Sequence, residues 1–100
     1  MKTLDSLLID LILVLKKQAE KPYLPVYGEI FIILKEVKKI AKKTKEIVTF
    51  YEIHPTGVLK YDYKKKIFVI EIPELSINLK EDELVESIIK GRFHPKEKIF

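Results

Sequence analysis

"IVTFYEIHPTGVLKYDYKKKIFVIEI", residues 47–72, is the stretch on which the fold turns. β-Branched and aromatic residues recur in three runs, 47–53, 58–63 and 67–72, the composition of half-buried strands. Pro55, Thr56 and Gly57 punctuate the first gap, and Lys64, Lys65 and Lys66 the second. Three strands with two short connections predict an antiparallel meander. A side-chain period of two then puts Tyr51, Ile53, Leu59, Tyr61, Phe68 and Ile70 on one face. Val48, Phe50, Glu52, Val58, Lys60, Asp62, Ile67, Val69 and Glu71 fall on the other.

Toward the N-terminus the period changes to that of helices. In residues 4–20, Leu4, Leu7, Leu8, Leu11, Leu15 and Ala19 form one stripe, with Thr3 placed to cap the first turn. Ile9 and Leu13 lie roughly opposite, so this helix asks for burial on two sides. Pro22, Pro25 and Gly28 mark a stiff connection. A second helix runs from about Glu29 to Lys45 with Ile30, Ile33, Leu34, Val37, Ile40 and Ala41 inward. After the strands, Asn78 followed by Glu81 reads as a helix cap, and Gly91 as a stop. Leu84, Val85, Ile88 and Ile89 form the apolar side of that short helix, which is expected to cover the second sheet face.

The expected fold is therefore α+β: two N-terminal helices, a three-stranded antiparallel β-meander and a short C-terminal helix, in one domain over residues 1–100. The mixture of charge and aromatics in 92–100 suits either a docked or a flexible tail. The four apolar residues of the last helix cover the second sheet face only in part, and a homodimer would complete the cover.

Composition excludes several function classes. With no cysteine there are no disulfides, thiolate metal sites or cysteine nucleophiles. The longest apolar run, 7–15, is interrupted by Asp10 and falls well short of the roughly 20 residues that span a bilayer. No small-residue cleavage site follows it, so the expected location is intracellular, in the cytoplasm and off the membrane. Lysine supplies 18 of the 19 basic residues, and amide side chains are scarce. High growth temperature favours that balance, and AT-rich coding produces it as well.

Charge is informative once it is located. The chain is +4, and "KEVKKIAKKTKE" at 35–46 holds six lysines against two glutamates, so the excess sits in the second helix. Lys35, Lys38, Lys39, Lys42, Lys43 and Lys45 spread over its outer face and are the candidate nucleic-acid-binding residues, with Lys64, Lys65 and Lys66 as an extension if they lie on the same side. Lysines so placed neutralise phosphates and release counterions, giving salt-sensitive affinity with little sequence reading. Arg92 is the one side chain able to make a bidentate guanine contact. The stretch 38–51 is also similar to the helix-turn-helix of DNA-binding regulators, but its β-branched end prefers strand. Tyr51, Tyr61 and Tyr63 fit a base-stacking surface only if exposed, and alternation places them with the core.

His54 and His94 each precede a proline and have no second ligand at helical spacing, so no metal site is expected. Ser6, Ser76 and Ser87 lie in no nucleophile elbow, and the single glycines form no phosphate loop. The expectation is a small non-enzymatic protein without cofactors that binds DNA or RNA backbone. The alternative is a homodimeric interaction module or small inhibitor, of the kind viruses and plasmids carry, using Ile9, Leu13, Val48, Phe50 and Val69 as apolar surface.

Overall fold

A computed structural model describes residues 2–22 and 25–96 of the chain. Helices α1 (Leu4–Glu20) and α2 (Tyr27–Thr44) precede strands β1 (Val48–Glu52), β2 (Val58–Asp62), β3 (Ile67–Ile72) and β4 (Leu75–Leu79), and helix α3 (Glu81–Ile89) follows. Thr3 caps α1 through a reciprocal pair: the Ser6 N–H donates to the Thr3 hydroxyl at 3.1 Å, and the Thr3 N–H to the Ser6 hydroxyl at 3.0 Å. Helix α2 begins earlier than its glycine suggested and takes Tyr27 and Gly28 into its first turn.

The sheet has four antiparallel strands in the order β1-β2-β3-β4, which corrects the three-stranded expectation. Pro73 and Glu74 make a two-residue turn, Glu74 with φ 71, and the chain folds back so that Ile72 faces Leu75. Asn78 is no helix cap: it stands in β4 opposite Val69. Helix α3 starts two residues later, capped at Lys80, where the Glu83 carboxylate accepts the Lys80 N–H at 3.0 Å. The alternation Leu75, Ile77, Leu79 is a strand signal, and the resemblance of Asn78 and Glu81 to a capping pair obscured it.

A bulge in β1 corrects the face assignment. Val48 faces Tyr61 and Thr49 faces Lys60, then Tyr51 faces Leu59, leaving Phe50 as the extra residue. Val48, Phe50 and Tyr51 are consequently all buried, so Val48 and Phe50 belong to the core and not to an outer surface. Ile53, Leu59, Tyr61, Phe68 and Ile70 are buried with them.

All three helices lie on this one face. Helix α1 packs on β1, α2 on β2, and α3 on β3 and α2, with Leu84, Val85 and Ile88 fully enclosed. The last helix therefore does not cover the second face as expected. No described residue covers that face, which carries Thr49, Glu52, Val58, Lys60, Asp62, Ile67, Val69, Glu71, Ser76 and Asn78, with a Lys60–Glu71 ion pair at 2.9 Å across it. Helix α2 leads directly through Glu46 and Ile47 into β1, so no helix-turn-helix is present at 38–51. Ile9 and Leu13 on the far side of α1 remain exposed, at 52% and 59%.

Residues 92–96 return along the β1 edge. Ile53 bridges to Pro95, the His54 N–H donates to the His94 carbonyl at 2.9 Å, and the Lys96 N–H to the Glu52 carbonyl at 2.8 Å. Positions 97–100 of the tail lie outside the described residues.

Gly57 closes the β1-β2 hairpin with φ 127, and a Cβ there would meet the Ile72 Cγ2 at 2.8 Å and the Glu71 carbonyl oxygen at 3.1 Å. Gly57→Ala is expected to lower unfolding free energy by about 2 to 4 kcal/mol through backbone strain and overpacking. Gly28→Ala, at a helical position with no neighbour within 4 Å, should raise it by roughly 0.5 kcal/mol. Urea titrations of the two variants beside the parent check both signs.

Candidate nucleic-acid interface

Helix α2 ends because Lys45 takes the left-handed conformation, φ 57, and returns its N–H to the Ala41 carbonyl at 2.7 Å. Only Glu46 and Ile47 separate that cap from β1. Since Val48 at the start of β1 is paired with Tyr61 near the end of β2, the last turn of α2 is brought beside the β2-β3 turn. The two meet around an open depression of 440 Å³ lined by Lys45, Glu46, Ile47, Asp62, Lys64 and Lys65. Lys42, Lys43 and Lys66 are exposed in the same two turns.

Local chemistry builds the second of these turns. The Asp62 carboxylate accepts the N–H groups of Lys64 and Lys65 at 3.0 and 3.1 Å, and Lys66 closes the turn at φ 54. One of the two carboxylates in the depression is therefore occupied by backbone donors. Lysine thus occupies two left-handed positions at this end, 45 and 66, where glycine would carry no steric penalty.

The six predicted lysines divide into two groups. Lys38 bonds Glu81 at 2.7 Å, both half-buried, and ties α2 to the first turn of α3. Lys39 bonds Glu36 at 3.1 Å within its own helix. Lys35, Lys42, Lys43 and Lys45 are exposed. Among the described residues, the ammonium groups of Lys35, Lys42 and Lys45 meet no carboxylate within ion-pair distance. Lys42 and Lys43 also stand in the last turn of α2, where positive charge offsets the helix dipole. Nothing in the sequence pattern marked Lys38 as an anchor, because its partner lies 43 residues away.

The tyrosines are not a stacking surface. Tyr51 and Tyr61 are buried under the helices, and Tyr63 is half-buried. The Tyr51 hydroxyl donates to the Phe93 carbonyl at 2.7 Å, and burial holds its pKa well above the usual phenol value. Burial raises Tyr61 as well, and the hydrogen bond from Lys2 to Asp10 raises the exposed Lys2. The two His-Pro segments run side by side, but the His94 ring shares its Nε2 with the Ile88 carbonyl at 3.1 Å. Among the described residues no three His, Asp or Glu side chains converge on a metal-sized site, and no helix is long and apolar enough to cross a membrane.

No protein-family model matches the chain, and no solved structure matches it. A tRNA uridine(34) hydroxylase of Rickettsia bellii (strain OSU 85-389) is similar, with 30% identity over 76 residues. The match takes in 73% of this chain, which spans only 30% of the hydroxylase. This corrects the expectation of a non-enzymatic protein, since the relative is named for a catalysed reaction.

Tyr51 yields a pH signature. Its folded-state pKa is raised, so the folded chain keeps a proton that the unfolded chain loses above the ordinary phenol value. Its contribution is complete below about pH 10 and is lost above it, at up to about 1.4 kcal/mol per pH unit. Tyr51→Phe should cost about 1 to 2 kcal/mol at neutral pH and flatten the alkaline fall in stability. Thermal melts of the two proteins from pH 7 to 11 test this.

Proposed function

We propose that this chain binds nucleic-acid backbone through the basic end formed by the last turn of α2 and the β2-β3 turn. The observation that carries this reading is the meeting of Lys45 with Lys64 and Lys65 around one depression, flanked by Lys42, Lys43 and Lys66. Phosphates need no more than closely spaced cations held at the right distance, and two turns at the end of a rigid sheet supply them. The left-handed Lys45 and Lys66 support it further. A non-glycine residue there costs about 1 kcal/mol, and strain of that kind marks positions where a side chain is wanted for something other than stability.

RNA is the preferred class. The hydroxylase with which the chain shares 30% identity acts, by its name, on a tRNA uridine, and an RNA-modifying enzyme needs surfaces that hold a phosphate-rich substrate. The reading narrows the candidate residues to Lys42, Lys43, Lys45, Lys64, Lys65 and Lys66. Lys38 ties α2 to α3 through Glu81, and Lys39 pairs with Glu36 before the last turn of α2, so both lie outside the two turns that meet at the depression.

The test is binding of a fluorescent RNA hairpin, and of a DNA duplex of similar length, across a salt series. The quadruple variant Lys42, Lys45, Lys64 and Lys65 to Gln should reduce the slope of log affinity against log salt by roughly 2 to 3. Lys38→Gln should leave the slope unchanged and lower stability by about 1 kcal/mol, since it leaves Glu81 half-buried and unpaired. Lys45→Gly with Lys66→Gly should weaken binding while moving stability by less than about 1 kcal/mol, as relief of strain and a freer unfolded chain oppose each other. Absence of binding to both nucleic acids at low salt, or an unchanged slope in the quadruple variant, overturns the proposal.

A further inference from the structure

The two edges of the sheet are treated differently. The β1 edge is broken by the bulge at Phe50 and covered at Glu52–His54 by residues 94–96. Among the described residues the β4 edge has neither device, and between Leu75 and Leu79 there is no lysine, proline or other residue of the kind that guards an exposed edge. The helical layer also stops short of it. The first three strands each have a helix packed on them, whereas Leu75 is 55% exposed and Ile77 and Leu79 are only half-covered on the same face.

The sequence of this edge is complementary to itself when reversed. In "ELSINLK", residues 74–80, a twofold centred on Ile77 sets Leu75 against Leu79, Ser76 against Asn78 and Glu74 against Lys80 of a second copy. Apolar meets apolar, amide meets hydroxyl, and acid meets base. The backbone is in phase with the same axis. The two-residue turn makes Ile72 and Leu75 a hydrogen-bonded pair, so Leu75, Ile77 and Leu79 bond inward to β3, and the N–H and C=O groups of Ser76 and Asn78 point out from the edge. Pairing about Ile77 lets each Ser76 exchange both backbone bonds with Asn78 of the second copy. It also brings the two Ile77 side chains together as a close, non-hydrogen-bonded pair on the helix-facing side.

We infer that β4 is a self-association edge: two copies of this chain pair antiparallel along Leu75–Leu79 into one eight-stranded sheet with all six helices on one face. This twofold uses neither the basic end nor the exposed apolar side of α1, and it stands independently of nucleic-acid binding. The contact is one strand wide, so affinity is on the order of micromolar.

Sedimentation velocity of the full chain between low and high micromolar concentration reads the equilibrium. Dimerisation over that range is expected. Ser76→Pro removes an outward N–H without touching the bonds to β3, and should raise the dissociation constant roughly tenfold or more with an unchanged circular-dichroism spectrum. Glu74→Lys should weaken the dimer, and Glu74→Lys combined with Lys80→Glu should restore it. A parent protein that stays monomeric at high micromolar concentration overturns the inference. So does a dimer indifferent to both Ser76→Pro and the charge exchange, which would put the contact elsewhere, for example on Ile9 and Leu13 of α1.

Discussion

Val48, Tyr51, Leu59, Tyr61, Phe68 and Ile70 form one continuous apolar sheet surface, and all three helices are spent in covering it. The β1 bulge makes this possible. One extra residue lets Val48, Phe50 and Tyr51 all reach the core from a five-residue strand, where strict alternation would have turned Val48 and Phe50 outward. Once those side chains are inside, Leu7, Leu11, Ile30, Leu34, Val37 and Leu84 have a single place to go. The opposite face needs no helix, because the bulge has removed Phe50 and Val48 from it and leaves threonine, lysine, aspartate, glutamate, serine and asparagine around Val58, Ile67 and Val69.

Much of this was legible in the sequence. The helical stripes and the three runs 47–53, 58–63 and 67–72 follow from periodicity alone, and so does the inward set on β2 and β3. What was not legible depended on tertiary compensation. A bulge adds one residue to a β-branched run and leaves no compositional mark, so the phase of β1 is ambiguous upstream of Tyr51. Strand β4 carried its own signal in Leu75, Ile77 and Leu79 behind a Pro-Glu turn, but five residues are few, and Asn78 with Glu81 imitates a cap. Placing α3 on the wrong face followed from that miss. Three strands with an uncovered second face call for a helix there, while a fourth strand returns the chain to where α3 can enter the existing core.

The candidate site was half legible for a related reason. Lysine density on α2 is a property of the sequence, but which lysines are occupied is a property of packing. The first turn of α3 is acidic, as helix N-termini prefer, and it arrives beside the middle of α2, so Glu81 takes Lys38. The end of α2 has no such tie from Lys42 or Lys45 among the described residues. It receives the β2-β3 turn, because the first strand pairs with the second in the register that joins Val48 to Tyr61. Uniform charge along a helix is thereby sorted into a structural middle and a basic end.

Two departures from local rules remain after the core is accounted for, and they lie in different parts of the molecule. Lysine at two left-handed positions gives up backbone comfort for charge, and an unguarded, self-complementary edge strand gives up protection against association. Neither adds to the stability of a single copy: Lys45 and Lys66 would be relaxed by glycine, and β4 would be safer with a lysine at Ile77. Glu74 and Phe93 also adopt positive φ, so such conformations are not confined to lysine in this chain. Their settings differ, however. Phe93 is held by the Tyr51 hydroxyl on its carbonyl, and Glu74 follows Pro73 in the turn that positions β4, whereas Lys45 and Lys66 both border the depression or its flank. A sequence with only three glycines accepts strain in several turns. What separates the basic end is that both strained residues there carry the same charge, in turns that the strand register forces to meet.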